Sequence, residues 1–339
     1  MLASVRMPAA NQPPTQRLAL ATTAFVALLV VFWLIARLFH LQAVTEYPVS
    51  TFLSFALLFA PYWLFGFGLA SFLRNTLANP VSRIACAALL ALPYFVLTMP
   101  RGTLNWQLAI TLIAICVLVA AVLHLWPKPA NWADLFVLLL VGLLIDLGLL
   151  NTGWPFGAHG PLWPGGLGGF PKMMMANMAL YGYLVIKPVE NIGYDLVPKI
   201  SDLKTGLREF LYYSPFVLPL GFLMGFLHWH GAKAHPLEFP GAWIFTFFFV
   251  ALPEELYFRG LVQNLLERRM GRNLALIVAS ILFGLSHFNK RTAFFNWKYV
   301  LLAAIAGVFY GRAWRERNRL FASSITHATV DTVWSIWFR

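Results

Sequence analysis

The sequence predicts an all-α fold, a polytopic transmembrane helical bundle of about 10–11 spans, and three observations carry that prediction. Of 339 residues, 60% are hydrophobic and only 11% are charged, against roughly 25% charged in a soluble domain. The mean hydropathy is +0.70. The apolar residues also fall in uninterrupted runs, several of them long enough to cross a hydrocarbon core about 30 Å thick.

Taken in order, Met1–Gln16 is polar and proline-bearing and reads as disordered. Spans are expected at Leu18–Phe39, Thr51–Phe72, Ile84–Met99, Leu108–Leu125 and Trp132–Leu150. The first run exceeds the 7–15-residue core of a cleaved signal peptide, so it is read as a retained span. Asn151–Pro171 is crowded with Gly, Pro and Trp and is expected as an interfacial or re-entrant loop. Met173–Ile186 follows as a short sixth span. Lys187–Arg208 has mixed charge and reads as an amphipathic cytoplasmic linker between an N-terminal membrane module, 1–186, and a C-terminal bundle, 209–339. The bundle's spans are expected at Glu209–Trp229, Ala242–Leu266, Leu274–His287, Trp297–Trp314 and Leu320–Phe338.

The formal net charge of +12 is read as topology and contact with anionic lipid, and not as nucleic-acid binding. Arg268, Arg269 and Arg272 flank one loop, and Arg312, Arg315, Arg317 and Arg319 flank the loop two crossings later. Both then lie on one side, which the positive-inside rule makes cytoplasmic, and counting backwards puts the N-terminus there too. A multi-pass protein of the bacterial inner membrane is expected. The only cysteines, Cys86 and Cys116, both sit in apolar runs, which argues against a disulfide framework or a cysteine metal site.

Three polar constellations interrupt the second half. The run Phe245–Arg259, FTFFFVALPEELYFR, carries the adjacent carboxylates Glu254 and Glu255, with Arg259 four residues after Glu255 and so on one helix face with it. His287 ends the run FGLSH, with Phe283 four residues before it. His327 and Asp331 are four apart on the last span. Ionisable groups in a membrane helix are costly and mark functional sites by default. A carboxylate beside imidazoles in a water-poor pocket suits the activation of water. Glu254, His287 and His327 equally make a three-ligand zinc set, though no His-Glu-x-x-His helix is present. No Gly-x-Ser-x-Gly elbow occurs, and neither cysteine has a histidine beside it, so a Ser or Cys nucleophile has no support. His228, His230 and His235 lack an acidic or cysteine partner at metal-site spacing.

The ordered pattern of Glu-Glu-x-x-x-Arg at Glu254–Arg259, Phe-x-x-x-His at Phe283–His287 and His-x-x-x-Asp at His327–Asp331 resembles the CPBP family of intramembrane proteases, the CAAX-protease and bacteriocin-processing type. The resemblance runs from about Ala242 to the C-terminus. It implies an intramembrane endopeptidase, glutamate- or metal-dependent, acting on a membrane-associated peptide or protein. Glu254 and His287 would activate the attacking water, Glu255 would hold the site through Arg259, and His327 with residue 331 would stabilise the oxyanion. The family often has Asn at this last position, and an ionised Asp331 cannot donate a hydrogen bond. Either burial keeps Asp331 protonated, or it accepts from His327 and orients it; the second is favoured. A proton-coupled transporter and a non-catalytic membrane scaffold are the competing classes, since intramembrane Glu, His and Asp also serve as proton sites or structural pairs.

Overall fold

The computed structural model describes residues 14–38, 47–150, 153–154, 169–231, 238–290 and 295–338. Within these, all regular structure is helical. The chain divides into two compact units, Met1–Val189 and Glu190–Arg339. Most of the loop expected at Asn151–Pro171 lies outside the described residues, as do the first thirteen residues and His235.

The first unit contains α1 (Pro14–Leu38), α2 (Pro48–Phe65), α3 (Leu69–Thr76), α4 (Pro80–Arg101), α5 (Trp106–Leu125), α6 (Trp132–Asp146) and α7 (Gly169–Tyr181), which a π-turn extends through Gly182–Ile186. Local chemistry sets several starts. Asn79, Asn105 and Asn131 each cap a helix through their side-chain oxygens, and Asn131 forms a capping box with Asp134. Pro80 stands at the first helical position, where its missing N–H costs nothing. The second expected span, Thr51–Phe72, is broken after Phe65, where Gly68 takes φ +104. Gly169–Pro171 already belong to α7, because proline is tolerated in a first helical turn.

The second unit contains α8 (Ile200–Leu223), α9 (Phe239–Met270), α10 (Arg272–Leu285), α11 (Trp297–Arg317) and α12 (Leu320–Trp337). In it α8, α11 and α12 pack on one another, α10 lies along α11, and α9 packs against α10 and α12. The segment expected as a surface linker, Lys187–Arg208, is helical from Ile200 onward. Its Asp202 and Thr205 are buried, and Asp202 is held by the Arg319 guanidinium at 2.9 Å. Gly271, at φ +78, lets the chain turn from α9 straight into α10. Arg315 pairs with Glu267 at 2.7 Å, which sets the basic ends of α9 and α11 side by side.

Among the described residues four helices are long and apolar enough to cross a membrane: α2, α4, α5 and α9. Parts of α1, α6 and α10 make shorter apolar stretches. The remaining long helices of the second unit, α8, α11 and α12, fall short for a chemical reason. Charged residues crowd the ends of α8 and α11, and α12 carries Ser323, Ser324, Thr326, His327, Thr329, Asp331 and Thr332. Large apolar side chains nevertheless stand exposed, such as Ile110 on α5, Phe216 on α8 and Ile277 on α10. That is how a lipid-facing surface reads. The fold is an all-α polytopic bundle, and the protein is an integral membrane protein.

Candidate active site

The site grows out of an irregular stretch of α9. Two π-turns, Phe247–Ala251 and Leu256–Gln263, flank the short α-helical piece Leu252–Glu255. Pro253 lies in that piece and supplies no N–H to the helix ladder. π-Bulges of this kind recur at functional sites because they re-aim side chains within an otherwise continuous helix.

Glu255 is fully buried. Its Oε2 faces Arg259 Nε at 3.2 Å, and its Oε1 accepts from His327 Nδ1 at 2.9 Å. Arg259 is equally buried; its Nη2 donates to the Gly307 carbonyl at 3.1 Å. Its guanidinium also lies 4.5 Å from the Phe283 ring centroid and 5.3 Å from that of Tyr310, a stacking role that the planar group suits. The close approach to α11 depends on small residues there. A Cβ on Gly311 would come within 2.5 Å of Gln263 Oε1 and 2.3 Å of Leu276 Cδ1.

The other ring nitrogen of His327 also faces carboxylates. Nε2 lies 3.4 Å from Asp331 Oδ2 and 3.7 Å from Glu254 Oε2. The imidazole is wedged between aromatic rings, stacked on Tyr310 with centroids 4.5 Å apart and edge-on to Phe283 at 5.6 Å.

His287 follows the end of α10. Its Nδ1 lies 2.8 Å from the Phe283 carbonyl oxygen, which can only accept. Nδ1 therefore carries a proton, and in the neutral ring Nε2 keeps its lone pair. The ring rests on Tyr299 and Phe283, with centroids 4.8 and 4.9 Å away. His287, His327 and Asp331 share the wall of one cleft bounded by α8, α10, α11 and α12. The cleft holds about 720 Å³ including the space at its mouth. Most of its remaining wall is apolar, with Phe226, Tyr299 and Trp334 in mutual ring contact.

The structure thus links Glu254, Glu255, Arg259, His327 and Asp331 in one run of polar contacts and sets His287 on the same cleft wall as His327. Glu254 does not line the cleft. It joins the group through His327 and keeps 22% of its side chain exposed. Tyr310, Tyr299 and the Gly307 carbonyl belong to the site although nothing in the three motifs names them. The available signal was the run of small residues around Tyr310, namely Ala303, Ala306, Gly307 and Gly311, since small residues on a membrane helix mark close packing. Among the described residues no group of three or more His, Cys, Asp or Glu side chains is arranged to hold a metal ion. Glu254, His287 and His327 as placed do not form such a group.

Residues 236–333 match the family described as type II CAAX prenyl endopeptidase Rce1-like. The resemblance drawn from the three motifs is borne out over that stretch. No curated protein and no solved structure matches the chain.

Proposed function

We propose that the second unit hydrolyses a peptide bond of a membrane-associated protein or peptide, with Glu254 as the base that takes a proton from the attacking water. The observation that carries the reading is the double grip on His327. Glu255 holds Nδ1 at 2.9 Å, while Nε2 faces Glu254 and Asp331. A buried ring fixed in this way keeps the Glu254 carboxylate beside the cleft, and that carboxylate is exposed enough to meet a water. His287 presents Nε2 from the same wall and assists by sharing the water's proton. As oxygen attacks the scissile carbonyl, Glu254 receives the proton and then returns it to the departing amine nitrogen. Arg259 acts through Glu255 and touches no reactant.

The apolar cleft suits a substrate that presents its hydrocarbon with its peptide. The orientation we propose puts the basic ends of α9 and α11, and the N-terminus, on the cytoplasmic side; the Arg315–Glu267 contact supports grouping those two ends. The test is cleavage of a peptide with a farnesylated cysteine followed by three residues, mixed with the full chain in detergent and read by mass spectrometry. Wild-type protein should cut the peptide backbone, and Glu254→Gln and His287→Ala should not. Equal cutting by Glu254→Gln would end this reading.

A further inference from the structure

Hydrolysis needs a hydrogen-bond donor for the oxygen that becomes negative in the tetrahedral intermediate. Neither residue expected to provide one is free to do so. Both ring nitrogens of His327 face carboxylates, Nδ1 towards Glu255 and Nε2 towards Asp331 and Glu254. An ionised Asp331 has no proton to donate. The cleft wall also carries Ser214, His287, the tyrosines Tyr213, Tyr299 and Tyr310, and Trp334. Ser214 donates to the Phe210 carbonyl at 2.8 Å, and His287 Nδ1 is bonded to Phe283. Of the rest, Tyr310 stands against His327. It lines the cleft, its ring lies flat on His327 at an interplanar angle of 15°, and its hydroxyl makes no hydrogen bond among the described residues.

We propose, resting on the peptidase reading above, that the Tyr310 hydroxyl is the oxyanion donor and so a catalytic residue of this site. The phenol O–H donates to the substrate carbonyl oxygen, and that bond strengthens as the oxygen gains charge. No proton leaves Tyr310, so the step needs no further reactant. The same geometry explains why an aspartate suffices at position 331: with the phenol as donor, Asp331 is left to hold His327 Nε2. The Tyr310 ring is held by His327 at 4.5 Å and by the Arg259 guanidinium at 5.3 Å. Such fixing is what a pre-aligned donor requires.

The test is steady-state kinetics of the full chain on the farnesyl-cysteine peptide, for wild type, Tyr310→Phe, Glu254→Gln and the double variant Tyr310→Phe/Asp331→Asn. Phenylalanine keeps the ring against His327 and removes only the hydroxyl. Tyr310→Phe should lose about 10²–10³-fold in kcat with KM nearly unchanged, the cost of one oxyanion donor, and should melt with the wild type. The asparagine of the double variant restores an N–H near the reacting oxygen, so it should regain at least about tenfold over the single variant. Wild-type kcat in Tyr310→Phe, a loss confined to KM, or a double variant no faster than the single one would each overturn the assignment. Full activity of Tyr310→Phe beside an inactive Glu254→Gln would remove Tyr310 alone. An active Glu254→Gln would remove the hydrolytic reading and Tyr310 with it.

Discussion

Each unit buries an ion pair, and the two pairs differ in what lies beyond them. In the first, Lys187 Nζ meets Asp134 Oδ1 at 2.8 Å, with both side chains at most 2% exposed. The second carboxylate oxygen accepts from the Asn131 N–H at 3.0 Å, inside a capping box. The network closes on itself and fixes the start of α6. In the second unit, Glu255 pairs with Arg259 in equal burial, but its other oxygen passes to His327 and from there to Asp331 and Glu254. That chain ends at a cleft and at a partly exposed carboxylate. A buried pair whose every oxygen is taken up by the fold is structural, whereas one that leads outward to a cavity positions chemistry.

Substitutions on the two pairs sharpen this contrast. The largest effect is expected from Arg259→Ala. It leaves Glu255 buried without its counter-ion, at a cost of about 3–5 kcal/mol, and should lower both the melting temperature in detergent and the turnover of the molecules that stay folded. Arg259→Lys keeps the charge, loses the fork over Phe283 and Tyr310, and should fall between. Lys187→Ala should destabilise by a similar amount, yet leave kcat per folded molecule at the wild-type value. A kinetic defect there would break the distinction between the pairs. Next comes Gly311→Ala, whose Cβ would press on Leu276 and Gln263; overpacking of this kind costs about 1–3 kcal/mol and should show as a lower melting temperature. The smallest effect is expected from a chelator series, which should leave cleavage unchanged. A loss that added zinc reverses, with metal countable in the purified protein, would replace the base mechanism by a metal-assisted one.

What could be read from sequence was what is local. Apolar runs made the helices plain, and the spacing of four residues puts Glu255 with Arg259 and His327 with Asp331 on shared faces, because helix geometry alone settles it. The boundaries of α8 were harder. Its first turns hold Asp202, Lys204 and Arg208, which look solvent-facing in sequence, but Asp202 turns inward to Arg319, 117 residues away in the chain. Long-range pairing of that sort leaves no periodic trace. The stacking of Tyr310 on His327, between the consecutive helices α11 and α12, and the reach of Arg259 to the Gly307 carbonyl, 48 residues away, are likewise contacts between helices that periodicity does not mark. So is the placing of Glu254 beside His327 Nε2 and off the cleft wall. Pro253 gave the only local hint of the π-turns on either side of it. For the first unit the sequence predicts spans, and the structure adds their caps and the buried Lys187–Asp134 pair.

The most direct measurement is the turnover of the farnesyl-cysteine peptide by Glu254→Gln against wild type, at matched amounts of folded protein. Glutamine keeps the size of the side chain and its place beside His327 while removing the base. The account predicts an unchanged melting temperature and a fall in kcat of about 10²–10⁴-fold. Wild-type turnover in Glu254→Gln would contradict it.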